Sequence, residues 1–292
     1  MIKILIIGIT GTLGHKIAQE LLKNKKFNIH GTFTNKSKLK RIKKIFKKIK
    51  YYKIDKTTEI IRLIRSRNFD YVINCAGLIK QKKAKKTKIY SINKLLPQKI
   101  SKIAEENYFR FIHFSTDCVF DGKHGNYKET QKPNAKDVYG VSKAEGEPKV
   151  TNKQTLTLRT SFIGHEINGN FSLLDWFLNS KGKINGFSSC YYNGLTSFEI
   201  AKFIKNNIVN KIFLSGLFHL AGKKISKYEL IKKINLVYKT GKSISPSYKP
   251  KINRTLNSNK LKKKFQYKEK TWDILLKELN KDYKNNLIIY NN

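Results

Sequence analysis

Tyr139 and Lys143 stand four residues apart in the run Tyr139-Gly-Val-Ser-Lys143. On a helix that spacing puts both side chains on one face. An ammonium beside a phenol favours the phenolate. It brings the phenol pKa down from about 10 toward the range in which it exchanges a proton with a carbonyl oxygen. Upstream, Ser115-Thr116-Asp117 offers the Thr116 hydroxyl as a second donor. Two donors aimed at one oxygen stabilise the alkoxide-like charge that develops when hydride reaches a carbonyl carbon. The bland readings stand beside this one. A Tyr and a Lys at such spacing also arise by chance in a lysine-rich chain, and Thr116 also reads as a strand-end hydroxyl capping a turn.

A hydride donor needs a cradle, and the amino-terminal run Gly8-Ile9-Thr10-Gly11-Thr12-Leu13-Gly14 has the spacing for one. The first glycine permits a tight turn, the second lets backbone approach a pyrophosphate, and the third lets the following helix close on the strand. The phosphate charge then lies at the helix N-terminus. Gly8, Thr10, Gly11, Thr12, Leu13 and Gly14 are therefore candidate cofactor contacts. No carboxylate occurs between Glu20 and Asp55 to take an adenosine ribose hydroxyl. Asn35 and Lys36, with Ser37, Lys38 and Arg41, follow the second expected strand, where a ribose phosphate would lie. The expected cofactor is NADPH, with NAD as the alternative. Asp55 is a candidate adenine cap or a simple turn former. Cys75, Ala76 and Gly77 are small residues at a strand end, where backbone can approach a dinucleotide or merely pack.

The elements that must position these groups alternate. Lys3 to Gly8 reads as a buried strand, and Leu13, Ile17, Leu21 and Leu22 recur at helical spacing. Phe27 to Phe33, Tyr71 to Ala76, Phe109 to Ser115 and Thr155 to Phe162 read as further strands, separated by helix-patterned segments. This alternation predicts an α/β fold with a doubly wound parallel sheet. Lys38 to Lys50 predicts a basic amphipathic helix with Leu39, Ile42, Ile45, Phe46 and Ile49 on its sheet-facing stripe. Gly164 to Asn170 and Gly182 to Gly194 are loops on the expected substrate side. A strand returns at Gly216 to Leu220, and helices follow at Tyr228 to Val237 and Trp272 to Leu279. The expected division is a dinucleotide-binding domain over 1–162, with a returning strand near 213–221, and a smaller substrate-binding lobe over 163–292.

The chain has 292 residues, 39% of them apolar, and a formal net charge of +41. Such a balance favours polyanions and anionic surfaces in general. Seven arginines stand against 54 lysines, spread along the chain among Ile and Asn. A nucleic-acid reader would cluster Arg for bidentate base contacts and interleave aromatics. No specific nucleic-acid or membrane partner is expected. Cys75, Cys118 and Cys190 are odd in number and far apart, which suits reduced thiols. Histidines show no ligand spacing, and no catalytic metal is expected. Ile4 to Ile7 is too short for a signal sequence, so a cytoplasmic, soluble protein is expected.

These pieces together resemble the extended short-chain dehydrogenase/reductase superfamily and, within it, the dTDP-4-dehydrorhamnose reductase family. The likeness rests on Gly8 to Gly14, on Phe114-Ser-Thr-Asp-Cys-Val-Phe-Asp-Gly122, on Tyr127-Lys-Glu129 and on Tyr139 to Glu147. Arg159-Thr160-Ser161 and Arg254-Thr255-Leu256 also fit. The resemblance implies a Rossmann fold with a C-terminal substrate lobe. It implies Tyr139 as proton donor, Lys143 as holder of the nicotinamide ribose, and Thr116 as a hydrogen-bond donor to the ketone oxygen. The reaction implied is NADPH-dependent reduction of the 4-keto group of a nucleotide-linked 6-deoxyhexose, in deoxysugar and polysaccharide synthesis. Asp117, Cys118, Trp176 and Arg254 are the implied substrate contacts, with Arg254 on a diphosphate. Trp176 also reads as a core residue, and Arg254 as a surface one. Cys118 departs from the family, which usually has an aromatic there, while related dehydratases have a glutamate. A thiol lacks the carboxylate's role, so dehydration is disfavoured. An epimerase, a non-catalytic nucleotide-binding regulatory partner, a UDP in place of a dTDP carrier, and a homodimer all stay open.

Overall fold

The computed structural model describes residues 1–79, 84–209 and 213–290. Seven parallel strands form the main sheet: β1 (Ile2–Ile7), β2 (Phe27–Phe33), β3 (Lys50–Lys53), β4 (Tyr71–Asn74), β5 (Arg110–Thr116), β6 (Thr155–Thr160) and a seventh, Gly216–His219. The seventh strand lies outside β6, followed across the sheet by β5, β4, β1, β2 and β3. The chain thus runs outward from β1 through β3, then returns to lay β4 on the other side of β1. At such a reversal the connections leave a crevice at the carboxyl ends of the strands.

β1 shows why the sheet is buried on both faces. Ile4 and Ile6 belong to one apolar cluster, with Leu13 and Ile17 of helix Thr12–Leu21. Leu5 and Ile7 belong to another, with Ile60 and Ile64 of Thr57–Arg65 and Ile100 and Ile103 of Leu96–Asn107. Alternate side chains of a strand point to opposite faces, so a continuous apolar run must be covered twice. The doubly wound fold is therefore as the alternation predicts. A smaller lobe is built from short strands, with Ile184–Phe187 beside Ile244–Ser247 and Cys190–Tyr192 between Ile225–Ser226 and Ile252–Asn253. Helix Lys227–Tyr238 packs on them. No helix among the described residues is long and apolar enough to cross a membrane.

Three local readings differ from the structure. The helix expected over Lys38 to Lys50 spans only Lys36–Lys43, because Lys50 must pair with His30 at the start of β3 and the chain has to turn first. Its stripe survives in part: Leu39, Ile42, Phe46 and Ile49 are buried, whereas Ile45 is exposed. Helix Ser197–Val209, absent from the sequence reading, packs along Thr12–Leu21 and contributes Ile200 and Ile204 to the same core. The Gly164 to Asn170 loop turns inward. His165 Nδ1 and Nε2 meet Asp175 Oδ1 at 2.9 Å and the Tyr238 hydroxyl at 2.8 Å, and Ile167 is fully buried.

Candidate active site

The glycine loop sits at the carboxyl end of β1, against the end of β4. Gly8 has φ +78°, and a Cβ there would come within 3.2 Å of the Ala76 amide nitrogen. A side chain would be strained and would also push β1 away from the Cys75-Ala76 backbone. At Gly14 a Cβ would stand 2.3 Å from the Gly8 carbonyl oxygen, which is how the helix closes on the strand. Gly11 precedes the first helical residue in extended conformation and brings no side-chain cap to the open amides. Those amides are orphan donors at the positive end of the helix dipole, suited to a pyrophosphate. Thr10 and Leu13 are buried, and Thr12 is half-buried at the helix start. The residues present fit a dinucleotide.

Around that cradle the structure sorts the other candidates. Asn35 caps Lys36–Lys43 by accepting from the Lys38 amide at 2.9 Å, with Lys36 exposed beside it. Asp55 is exposed just beyond β3, with Lys53 Nζ donating to it at 2.7 Å. Cys75 and Ala76 flank Gly8, and burial pushes the Cys75 thiol upward. Gly77 lies exposed beyond them, facing the Asn93 side chain.

Thr116 ends β5 and Tyr139 opens helix Val138–Glu145, which Asp137 caps by accepting from the Gly140 amide at 3.0 Å. The Tyr139 phenol lies near enough to the Thr116 hydroxyl for that side chain to favour its phenolate. Thr116 also donates to Asp117 Oδ1 at 3.0 Å and accepts from the Cys118 amide at 3.1 Å. Thr116 has one hydrogen to give, and here the Asp117 carboxylate takes it. Burial raises the Asp117 carboxyl pKa, opposed by hydrogen bonds from Thr116 and Cys118 and by the charges of Arg254 and Lys227.

Lys143 lies one turn beyond Tyr139, 4% exposed, and donates to the Phe114 carbonyl oxygen at 2.6 Å. The expectation of a phenol lowered by this ammonium is not met. Burial pushes the Tyr139 pKa up, the Cys118 thiol adds to that, and the hydrogen bond with Thr116 works the other way. Burial likewise lowers Lys143 to about 8, partly offset by Glu147. Desolvation outweighs the helical proximity on which the sequence argument relied.

Several residues beyond the sequence reading hold this arrangement. Asn93, in the π-helical turn Ser91–Leu95, accepts from the Leu78 amide at 2.9 Å and donates to Ser142 Oγ at 3.1 Å. It joins the loop after β4 to the helix that carries Tyr139. Glu147 takes Arg159 in a two-pronged pair, at 2.8 and 2.7 Å, and accepts from Ser115 Oγ at 2.6 Å. Its position at the close of the Tyr139 to Glu147 run was the signal that could have found it. Lys227 bears on both Asp117 and Cys190, as does Arg254. With its neighbours all lysine-rich, Lys227 had no signal in the sequence.

Arg254 donates from Nε to the Phe120 carbonyl oxygen at 2.9 Å, which places its guanidinium beside the loop that follows Asp117. Tyr127 stacks on Phe120 with centroids 4.1 Å apart and donates to Asp121 Oδ1 at 2.9 Å, while Glu129 accepts from the His219 amide. Tyr127 and Glu129 thus shape the loop. Trp176 is 42% exposed on Leu173–Asn179, whose Leu174 and Phe177 face inward, so its reading as a core residue is overturned. Thr116, Asp117, Cys118, Tyr139 and Arg254 converge; the contacts of Trp176 do not bring it to them.

Comparison with known proteins agrees with the fold and gives the family. The profile of the RmlD substrate binding domain matches residues 2–285. A dTDP-4-dehydrorhamnose reductase from Aggregatibacter actinomycetemcomitans is 28% identical over 235 residues, covering 76% of this chain and 74% of that protein. A crystal structure of a hypothetical dTDP-4-dehydrorhamnose reductase from Sulfolobus tokodaii superposes with TM-score 0.74 at 25% identity, covering 90% of this chain and 94% of the other. The Bacillus anthracis dTDP-4-dehydrorhamnose reductase, solved in complex with NADP, superposes with TM-score 0.78 at 18% identity, covering 97% and 99%.

Proposed function

The chain belongs to the RmlD substrate binding domain family, and from that premise we propose that it is an NADPH-dependent reductase of the 4-keto group of a nucleotide-linked 6-deoxyhexose. One observation carries the reading. The Thr116 hydroxyl at the end of β5 and the neighbouring Tyr139 phenol stand on the same edge of the sheet as the Gly8 to Gly14 loop.

The dinucleotide, when bound, supplies hydride to the ketone carbon. Tyr139 gives its phenolic proton to the oxygen as charge builds there. Its high pKa keeps it protonated and ready as an acid. Thr116 turns its one hydrogen from Asp117 to the substrate oxygen and so stabilises the charge that builds there. Lys143, fixed by Phe114, holds the nicotinamide ribose. Arg254 and Lys227 take the diphosphate of the sugar nucleotide, a role in which a guanidinium fork outperforms an ammonium. Asn35, Lys36, Lys38 and Arg41 meet the adenosine ribose phosphate. The absence of any carboxylate between Glu20 and Asp55 favours NADPH over NAD. Such a product feeds glycan assembly, and a cytoplasmic site of synthesis suits it.

The test is incubation of the purified protein with NADPH and a panel of dTDP- and UDP-linked 4-keto-6-deoxyhexoses, following NADPH absorbance. Stoichiometric oxidation with one member is expected. Isomerisation without net oxidation would assign an epimerase, and cofactor binding with neither reaction would assign a regulatory partner.

A further inference from the structure

The helix that opens on the glycine loop is tied from behind by a residue far along the chain. His15 Nδ1 lies 2.8 Å from the Gly11 carbonyl oxygen, and His15 Nε2 lies 2.8 Å from the Tyr290 hydroxyl. The imidazole is 0% exposed. Tyr290 belongs to the short helix Leu287–Tyr290, which follows Trp272–Asn285, and its ring meets the imidazole edge-on with centroids 5.7 Å apart. Its backbone oxygen accepts from Arg41 of helix Lys36–Lys43 at 3.1 Å. Next to it, Lys16 is ion-paired with Asp282. Glycine loop, post-β2 helix and C-terminal helices therefore meet at Tyr290.

The hydrogen-bond directions follow from the donors available. A carbonyl can only accept, so His15 Nδ1 carries the hydrogen that Gly11 takes, and a neutral ring then leaves Nε2 as acceptor for the Tyr290 hydroxyl. Burial and the adjacent Lys16 lower the His15 pKa well below its ordinary value, which keeps the ring neutral. Burial keeps the Tyr290 phenol protonated. The Gly11 carbonyl also accepts the ordinary helical bond from the His15 amide at 3.1 Å, so it is held twice. In a trans peptide the carbonyl and the following N–H point in opposite directions. Pinning the Gly11 oxygen down the helix aims the Thr12 N–H, an orphan donor of the first turn, out toward the phosphate mouth.

We propose that Tyr290 is a positioning residue for the dinucleotide: its hydroxyl selects and holds the His15 tautomer, and that ring fixes the Gly11–Thr12 peptide against the pyrophosphate. This rests on the reading of the glycine loop as a dinucleotide site.

The experiment measures NADPH affinity by calorimetry, with steady-state kinetics, for the full chain and for Tyr290→Phe, His15→Asn and His15→Gln. Loss of one buried hydrogen bond should raise the NADPH Kd of Tyr290→Phe about fivefold, with kcat at saturating NADPH and the KM for the sugar nucleotide within about twofold of wild type. Asparagine places an amide N–H near the Nδ1 position and glutamine near Nε2. His15→Asn should therefore bind NADPH more tightly than His15→Gln, and Tyr290→Phe should add nothing in the His15→Asn background. An unchanged NADPH Kd in folded Tyr290→Phe overturns the proposal and leaves the reductase reading intact. So does an equal loss of affinity for cofactor and sugar nucleotide, the mark of a general packing defect. A wild-type chain that binds neither NADPH nor NADH overturns both.

Discussion

Lys143 donates to the Phe114 carbonyl oxygen at 2.6 Å, inside the sheet, while the Tyr139 phenol one turn earlier lies by the Thr116 hydroxyl. The two side chains share a helix but answer to different partners. Lys143 is anchored by backbone of β5, and Tyr139, the proposed proton donor, lies by a hydroxyl at the end of that same strand.

The buried ammonium carries a stability cost. Burial lowers its pKa from 10.5 to about 8, so between those values the unfolded chain binds more protons and stability rises with pH. Below about pH 8 the folded state carries the full penalty; above the unfolded value it is gone. Lys143→Met should therefore raise unfolding stability at pH 7 by about 1–3 kcal/mol, with the advantage fading as pH climbs from about 8 to 10.5. Turnover should fall at least about 100-fold. Denaturant titrations at several pH values check the first claim, and a destabilised variant at pH 7 contradicts it.

Tyr139→Phe removes only the acidic hydroxyl. Turnover should drop by about 10²–10⁴-fold while NADPH affinity stays within about twofold. Thr116→Ser keeps the hydroxyl shared by Tyr139, Asp117 and the Cys118 amide and should retain most activity; Thr116→Val should not. Parallel measurement of kcat and NADPH Kd separates the two roles. Equal activity in the Ser and Val variants would remove Thr116 from the chemistry.

Asn35 both caps Lys36–Lys43 and ends the segment after β2, where we propose that the adenosine ribose lies. Aspartate caps a helix as well as asparagine and supplies the carboxylate that a ribose hydroxyl prefers. Asn35→Asp should shift the ratio of kcat/KM for NADPH over NADH toward NADH by about tenfold, with an unchanged thermal midpoint. An unaltered ratio would place the ribose elsewhere.

Arg254 and Lys227 converge on Asp117 and Cys190 from separate elements. Lys227→Ala should raise the KM for the sugar nucleotide about tenfold with kcat nearly constant, as expected when ground state and transition state lose binding equally. Arg254→Lys should do the same and also loosen the Phe120 loop, because Nε of Arg254 is spent there. A fall in kcat alone for Lys227→Ala would move that lysine out of diphosphate binding.

Much of the frame is legible in one dimension. Ile4 to Ile7 running into glycines at positions 8, 11 and 14 dictates a strand, a turn and a helix, because strand burial and glycine sterics act between near neighbours. The same holds for β2, whose bounds coincide with Phe27–Phe33, where Phe27, Ile29 and Phe33 recur on alternate positions. The Ser197–Val209 helix escaped notice beside glycine-rich loops, although Ile200, Ile204 and Ile208 repeat every four residues. The helix read over Lys38 to Lys50 was too long, because an apolar stripe does not record that Lys50 must reach His30.

The chain's own order of residues determined the alternation of strands and helices and the glycine spacing of the loop after β1, since these depend on near neighbours, and it offered Tyr139 and Lys143 as the proposed catalytic pair. Tertiary structure alone decided the electrostatics and the bracing. The Tyr139 pKa rises because the fold desolvates its phenol, and His15, bonded to Gly11, meets Tyr290 across 275 positions of sequence. Desolvation and long-range hydrogen bonds belong to the packed neighbourhood of a group, and adjacency along the chain does not encode that neighbourhood.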